Sequence, residues 1–78
     1  MSTRTVTAMY KGSSVTQREV EDCLSDIAGR LGGVVGRSYS TRDKYTVYTA
    51  YHFDSFGLAL SFQCEADRTG HGVHTYLT

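Results

Sequence analysis

The chain is 78 residues long, 40% hydrophobic, and carries eight basic and eight acidic side chains, so its net charge is zero. That length predicts a single domain over residues 1–78 with a small core, because a chain of this size buries only about 60% of its unfolded surface. The charge balance excludes the basic surplus usual in nucleic-acid binders, and no apolar run is long enough to cross a bilayer.

Two cysteines, Cys23 and Cys64, lie far apart, and proline is absent. A disulfide framework needs more cysteines than this. No charged-then-apolar leader opens the sequence. The expectation is a cytoplasmic chain with reduced thiols. Residues 1–3 read as a short frayed end.

Residues 3–11, "TRTVTAMYK", alternate and predict a strand. Val6, Ala8 and Tyr10 share one face; Thr5, Thr7 and Met9 share the other. "GSS" breaks it. Residues 15–33, "VTQREVEDCLSDIAGRLGG", predict a helix. Thr16 with Glu19 matches a capping box, and Val15 with Val20 a hydrophobic staple. Val20, Cys23, Leu24, Ile27, Ala28 and Leu31 recur at three and four as one apolar stripe. Glu19, Glu21 and Asp22 fall in the first turns and Arg30 in the last, as the helix dipole prefers. Gly32 or Gly33 supplies the stop.

Residues 34–41 and 45–53, rich in Val, Thr and Tyr, flank "RDK" and predict a hairpin. Tyr45, Val47, Thr49, Tyr51 and Phe53 share one face of its second strand; Thr46, Tyr48, Ala50 and His52 share the other. Residues 54–68 fit either a strand or a helix by period. Composition favours the helix: from Phe56 to Arg68 there is no Val, Ile or Thr. Asp54 or Ser55 caps it, and Gly57 is its weak point. Gly57, Ser61, Glu65 and Arg68 form a polar arc opposite an apolar side of Phe56, Ala59, Leu60 and Phe62, with Cys64 near that side's edge. Gly70 ends the helix. Residues 71–77, "HGVHTYL", predict a last strand.

The order βαββαβ is the ferredoxin-like, or split βαβ, arrangement. It is an α+β fold with two helices on one face of a four-stranded antiparallel sheet. The alternative, with residues 54–68 as a strand, is one helix on a five-stranded antiparallel sheet.

Chemistry-bearing clusters are sparse. His71, His74 and Cys64 do not have zinc-finger or knuckle spacing. No cysteine sits in a visibly electropositive setting that would activate it. "GRLGGVVG" follows a helix instead of opening one, so its N–H groups are not poised to cradle phosphate. The expectation is a non-enzymatic chain with no catalytic residue, no metal and no cofactor.

The aromatic load is the informative feature: nine aromatics, six of them tyrosine. A ferredoxin-like sheet leaves one face uncovered. If the Val47 face packs on the helices, Tyr48 and His52 look outward, joined by Met9 and Thr7 and by His74 or Tyr76. Arg37, Tyr39, Arg42 and Lys44 add a hairpin edge. The expected partner-binding residues are therefore Tyr48, His52, Met9, Arg37, Tyr39, Arg42, Lys44 and Tyr76. Tyrosine suits protein interfaces. The RNA-recognition signature is absent from "YTVYTAYHF", so nucleic acid is not the expected partner.

In size and style the chain resembles the small accessory proteins with which bacteriophages block host defences, such as anti-CRISPR proteins. The resemblance carries over no individual residue. It implies a protein that acts by occupying a surface of a larger complex. Many such proteins mimic acidic nucleic acid; zero net charge departs from that pattern and favours steric blocking. The functional expectation is a protein-binding module, an inhibitor or adaptor. The alternative is a small-ligand or nucleotide-binding domain that uses the open sheet face or a dimer interface. Homodimerisation is a separate expectation.

Overall fold

A computed structural model describes residues 4–77. Residues 1–3, read above as a frayed end, lie outside the described residues. The elements are β1 (Arg4–Lys11), α1 (Ser14–Arg30), β2 (Val34–Ser40), β3 (Thr46–Phe53), α2 (Phe56–Arg68) and β4 (His74–Leu77). The four strands form one antiparallel sheet in the order β2-β3-β1-β4, and both helices pack on one side of it. This is the ferredoxin-like arrangement expected from the sequence. Residues 56–68 are helical, which removes the five-stranded alternative.

Alternation in the strands and the stripe in α1 meet in the core. Val6, Ala8 and Tyr10 of β1 face Val47, Thr49, Tyr51 and Phe53 of β3 on the covered side, against Val20, Leu24, Ile27 and Ala28 of α1 and Ala59, Phe62 and Ala66 of α2. Phe62 is the hub, with its ring 4.8 Å from that of Tyr51 and 5.1 Å from that of Phe53. Burying one such aromatic contributes about 1.5–3 kcal/mol. Cys23 is half-buried at the margin of this core.

Several local expectations are corrected. Helix α1 begins earlier than the Thr16–Glu19 box suggests, because the Ser13 hydroxyl accepts from the Thr16 N–H and sets the cap there. The first turn therefore holds no acid. Val15, 68% exposed, does not act as a staple. Gly32, at φ +73°, makes the left-handed stop. In α2 the cap is Ser55, whose hydroxyl accepts from Leu58 N–H. Its buried stripe is narrower than expected: Leu60 and Phe56 are exposed, the latter under the Arg4 guanidinium at 5.6 Å. Cys64 is exposed as well. Strand β4 starts only at His74, after Gly72 takes a positive φ that cannot continue a ladder.

Candidate functional site

The face of the sheet away from the helices is built by the second half of each alternation. On β1 it carries Thr5, Thr7, Met9 and Lys11; on β3, Thr46, Tyr48, Ala50 and His52. Cross-strand register lines these up. Tyr39 of β2 lies opposite Tyr48, Tyr48 opposite Met9, and Met9 opposite His74 of β4, so one row crosses all four strands. Thr7 pairs with Ala50 on one side and with Tyr76 on the other, giving a second row. Tyr39 is 63% exposed and Tyr76 is 50% exposed, whereas Tyr48 and Met9 are half-buried between their neighbours.

Tyr39 and Tyr48 stack on each other, with ring centroids 5.0 Å apart and planes 17° apart. Offset stacking of this kind adds about 0.5–1.5 kcal/mol beyond area burial. It also occupies one ring face of each tyrosine. The pair stands as a ridge and does not lie flat on the sheet.

His52 is held more tightly than the sequence implied. Its Nδ1 hydrogen-bonds the Thr5 hydroxyl at 3.0 Å, and its ring covers the backbone of Gly36, where a side chain would collide with Nε2. Gly36 belongs to a bulge: Val35 pairs with Tyr51 and Ser38 with Thr49, so Gly36 and Arg37 together oppose Ala50. The bulge keeps Tyr39 on the open face with Tyr48. His52 therefore positions the bulge and is half-buried on the open face, as Tyr48 and Met9 are.

The remaining candidates gather at the hairpin end. Arg37, Arg42 and Lys44 are all exposed. Lys44 sits at φ 59°, a left-handed conformation unusual for a lysine. The turn is closed by Asp43, whose carboxylate accepts from the Thr41 hydroxyl and from the Tyr45 N–H. These bonds hold the Asp43 carboxyl below its ordinary pKa. Gln17 of α1 clamps the turn from the helix side: the two hydrogens of its amide nitrogen are shared among the carbonyls of Gly12 at 2.8 Å, Lys44 at 2.7 Å and Tyr45 at 3.0 Å.

All eight expected site residues are thus on or beside one surface. Sequence reasoning missed Lys11, which continues the Met9 alternation and pairs with Thr46 beside the turn. It also missed Gly36 and Gln17. An isolated glycine inside a strand pattern was the available signal for the bulge; nothing local announces the Gln17 clamp, since its partners in the hairpin lie 27 and 28 residues away.

The helix side carries a shallow groove of about 340 Å³ lined by Ile27, Arg30, Leu31, Ser61 and Glu65. Its charges pair within their own helices, Arg30 with Asp26 at 3.4 Å and Glu65 with Arg68 at 3.9 Å. It does not present the convergent polar groups that would fix a small ligand. Among the described residues, no cluster of His, Cys, Asp and Glu is placed to hold a metal.

Fold and face together define a small ferredoxin-like α+β domain. No family model and no curated protein matches the sequence. Solved structures do match. The designed protein Foldit4 is similar over 99% of this chain and 97% of its own, with TM-score 0.76 and 10% identity. A putative PII-like signalling protein from Thermus thermophilus is similar over 100% of this chain and 88% of its own, with TM-score 0.65 and 15% identity. A dimeric ferredoxin-like protein from an uncultured marine organism is similar over 96% of this chain and 84% of its own, with TM-score 0.52 and 12% identity.

Proposed function

We propose that this chain is a non-enzymatic protein-binding module, an inhibitor or adaptor that covers part of a larger protein, and that it binds through the open sheet face and the adjoining hairpin turn. The observation that carries this reading is the uncovered row Tyr39–Tyr48–Met9–His74, flanked by Tyr76. Tyr, Met and Arg are the residues enriched at interface centres. Strands about 4.8 Å apart with a rise of about 3.3 Å per residue give this face roughly 400 Å² in projection. A specific interface buries about 800 Å² per partner, so the hairpin turn has to take part. The resemblance to phage anti-defence proteins makes bacterial defence complexes the first partners to test. The unpaired Cys23 and Cys64 suit a reducing, cytoplasmic compartment.

The test is affinity capture with the tagged full chain, followed by the Tyr48→Ala and His52→Ala variants. Tyr48→Ala, checked by circular dichroism to be folded, is expected to lose the partner. Partner retention by both variants would remove the sheet face as the binding surface.

Self-association is a second reading. It is favoured by the exposed edge strand β2, where Val34, Val35 and Tyr39 all face solvent. The dimeric state of the marine ferredoxin-like neighbour points the same way. A sedimentation mass of 8.6 kDa at micromolar concentration would rule it out.

A further inference from the structure

The net charge of zero conceals a segregation. Six of the eight carboxylates lie in the helices, Glu19, Glu21, Asp22 and Asp26 in α1 and Glu65 and Asp67 in α2, and the other two, Asp43 and Asp54, lie between elements. Among the described residues no strand carries an acid, while the strands hold Arg4, Lys11 and Arg37. Arg4 turns to the helix side over Phe56. Lys11 lies at the hairpin end of the sheet, opposite Thr46, and Arg37 at its middle, beside Ala50; both share the open face with the Tyr39–Tyr48 ridge, and Arg42 and Lys44 are exposed in the turn beyond it. Asp43, the one acid of the turn itself, is engaged there by Thr41 and Tyr45.

We infer that the partner of this face is a protein surface rich in carboxylates, which Lys11, Arg37, Arg42 and Lys44 engage around the tyrosine ridge. The inference rests on the protein-binding reading of the same face and adds the sign of the partner's charge. Charge complementarity sets which partners are admitted and how fast they arrive more than it sets raw affinity. A second copy docked face to face would bring like charges together, so it does not fit this end of the sheet. Single-stranded nucleic acid fits less well than an acidic protein, because base stacking needs open ring faces. Here each tyrosine already has one ring face taken by the other.

The test is an amide-resolved NMR titration of the isotope-labelled full chain with a short poly-L-glutamate peptide as the acidic probe, at low and at physiological salt. An oligo-dT strand is titrated in parallel. Shifts are expected at Lys11, Arg37, Tyr39, Lys44 and Tyr48. Binding is expected to weaken about tenfold at the higher salt, and by a similar factor in the Lys11→Glu, Arg37→Glu double variant. An Arg30→Glu control at the far end of α1 is expected to bind as the parent does. Absence of shifts on the sheet, loss in the α1 control, or tighter binding of oligo-dT at the ridge would each overturn the inference. Once a partner is in hand, the two readings separate cleanly. Loss on Tyr48→Ala with full retention by the Lys11→Glu, Arg37→Glu variant defeats the acidic partner alone. Retention by both Tyr48→Ala and His52→Ala defeats the face itself.

Discussion

Tyr51 shows how a single side chain couples packing to pH. It is fully buried against Phe62, and its hydroxyl, though close to Ser25, makes no well-formed hydrogen bond among the described residues. Tyr10, equally buried, places its hydroxyl 3.1 Å from Thr49 Oγ1, which in turn lies 3.0 Å from Ser38 Oγ. Burial raises the pKa of both phenols, for Tyr51 far above the ordinary tyrosine value, with each phenol's position near Glu21 adding to the shift. The sign of the consequence is fixed. Below an ordinary value of about 10 both folded and unfolded phenols are neutral, and nothing is lost. Above it the unfolded chain ionises while the fold resists, so stability falls by up to about 1.4 kcal/mol per tyrosine per pH unit until the folded group titrates. Tyrosinate absorbance is therefore expected to show a late step that coincides with loss of the far-ultraviolet dichroism. Tyr51→Phe is expected to shift that alkaline midpoint upward. A Tyr51 that ionised with the dichroism intact would contradict this account. None of this was legible beyond the alternation that placed Tyr51 inward, since an orphan hydroxyl depends on what the opposite helix brings to it.

The elements themselves were legible wherever one period dominated. Helix α1 has a stripe that only a helix can gather. Strands β1 and β3 alternate cleanly, and the covered and open faces followed from that alternation. Element ends were less legible, because several residues compete for one role. Ser13, Ser14 and Thr16 can each accept a helix N–H, and the box pattern at Thr16 was outcompeted by Ser13. Strand β2 hid its bulge because Gly36 answers to the His52 ring, 16 residues away in sequence and adjacent only after pairing. Helix α2 was ambiguous by period and was settled by composition. Gly57 remains its weak point: it is exposed within α2, and a methyl group there would meet nothing closer than the Ser55 hydroxyl at 4.0 Å. Gly57→Ala is expected to raise the unfolding free energy by about 0.5–1 kcal/mol, read as a higher denaturant midpoint with an unchanged slope. A neutral or negative result would show that the first turn of α2 needs the freedom of glycine.

At the scale of the whole molecule, the property that matters most for recognition was hidden by a sum. Equal numbers of acids and bases read as neutrality, yet six of the eight acids lie in the helices and, among the described residues, none lies in a strand. The physical origin is local: acidic residues populate amphipathic helix surfaces, whereas Thr, Tyr and Val fill strands and leave their few charges to Lys and Arg. The molecule is 37 by 23 by 16 Å, and the Debye length is about 10 Å at 0.1 M salt. Helix layer and sheet end are therefore felt separately by anything that approaches. At neutral pH and about 0.1 M salt, where the two fields stay separate, the protein is expected to be retarded on a cation exchanger through its hairpin end and on an anion exchanger through its helices. Lys11→Glu with Arg37→Glu should abolish the first retention and strengthen the second. Arg30→Glu should strengthen the second while leaving the first in place. A parent chain that flowed through both columns would mean that its charges act as their sum, and that the hairpin end has no field of its own to offer a partner.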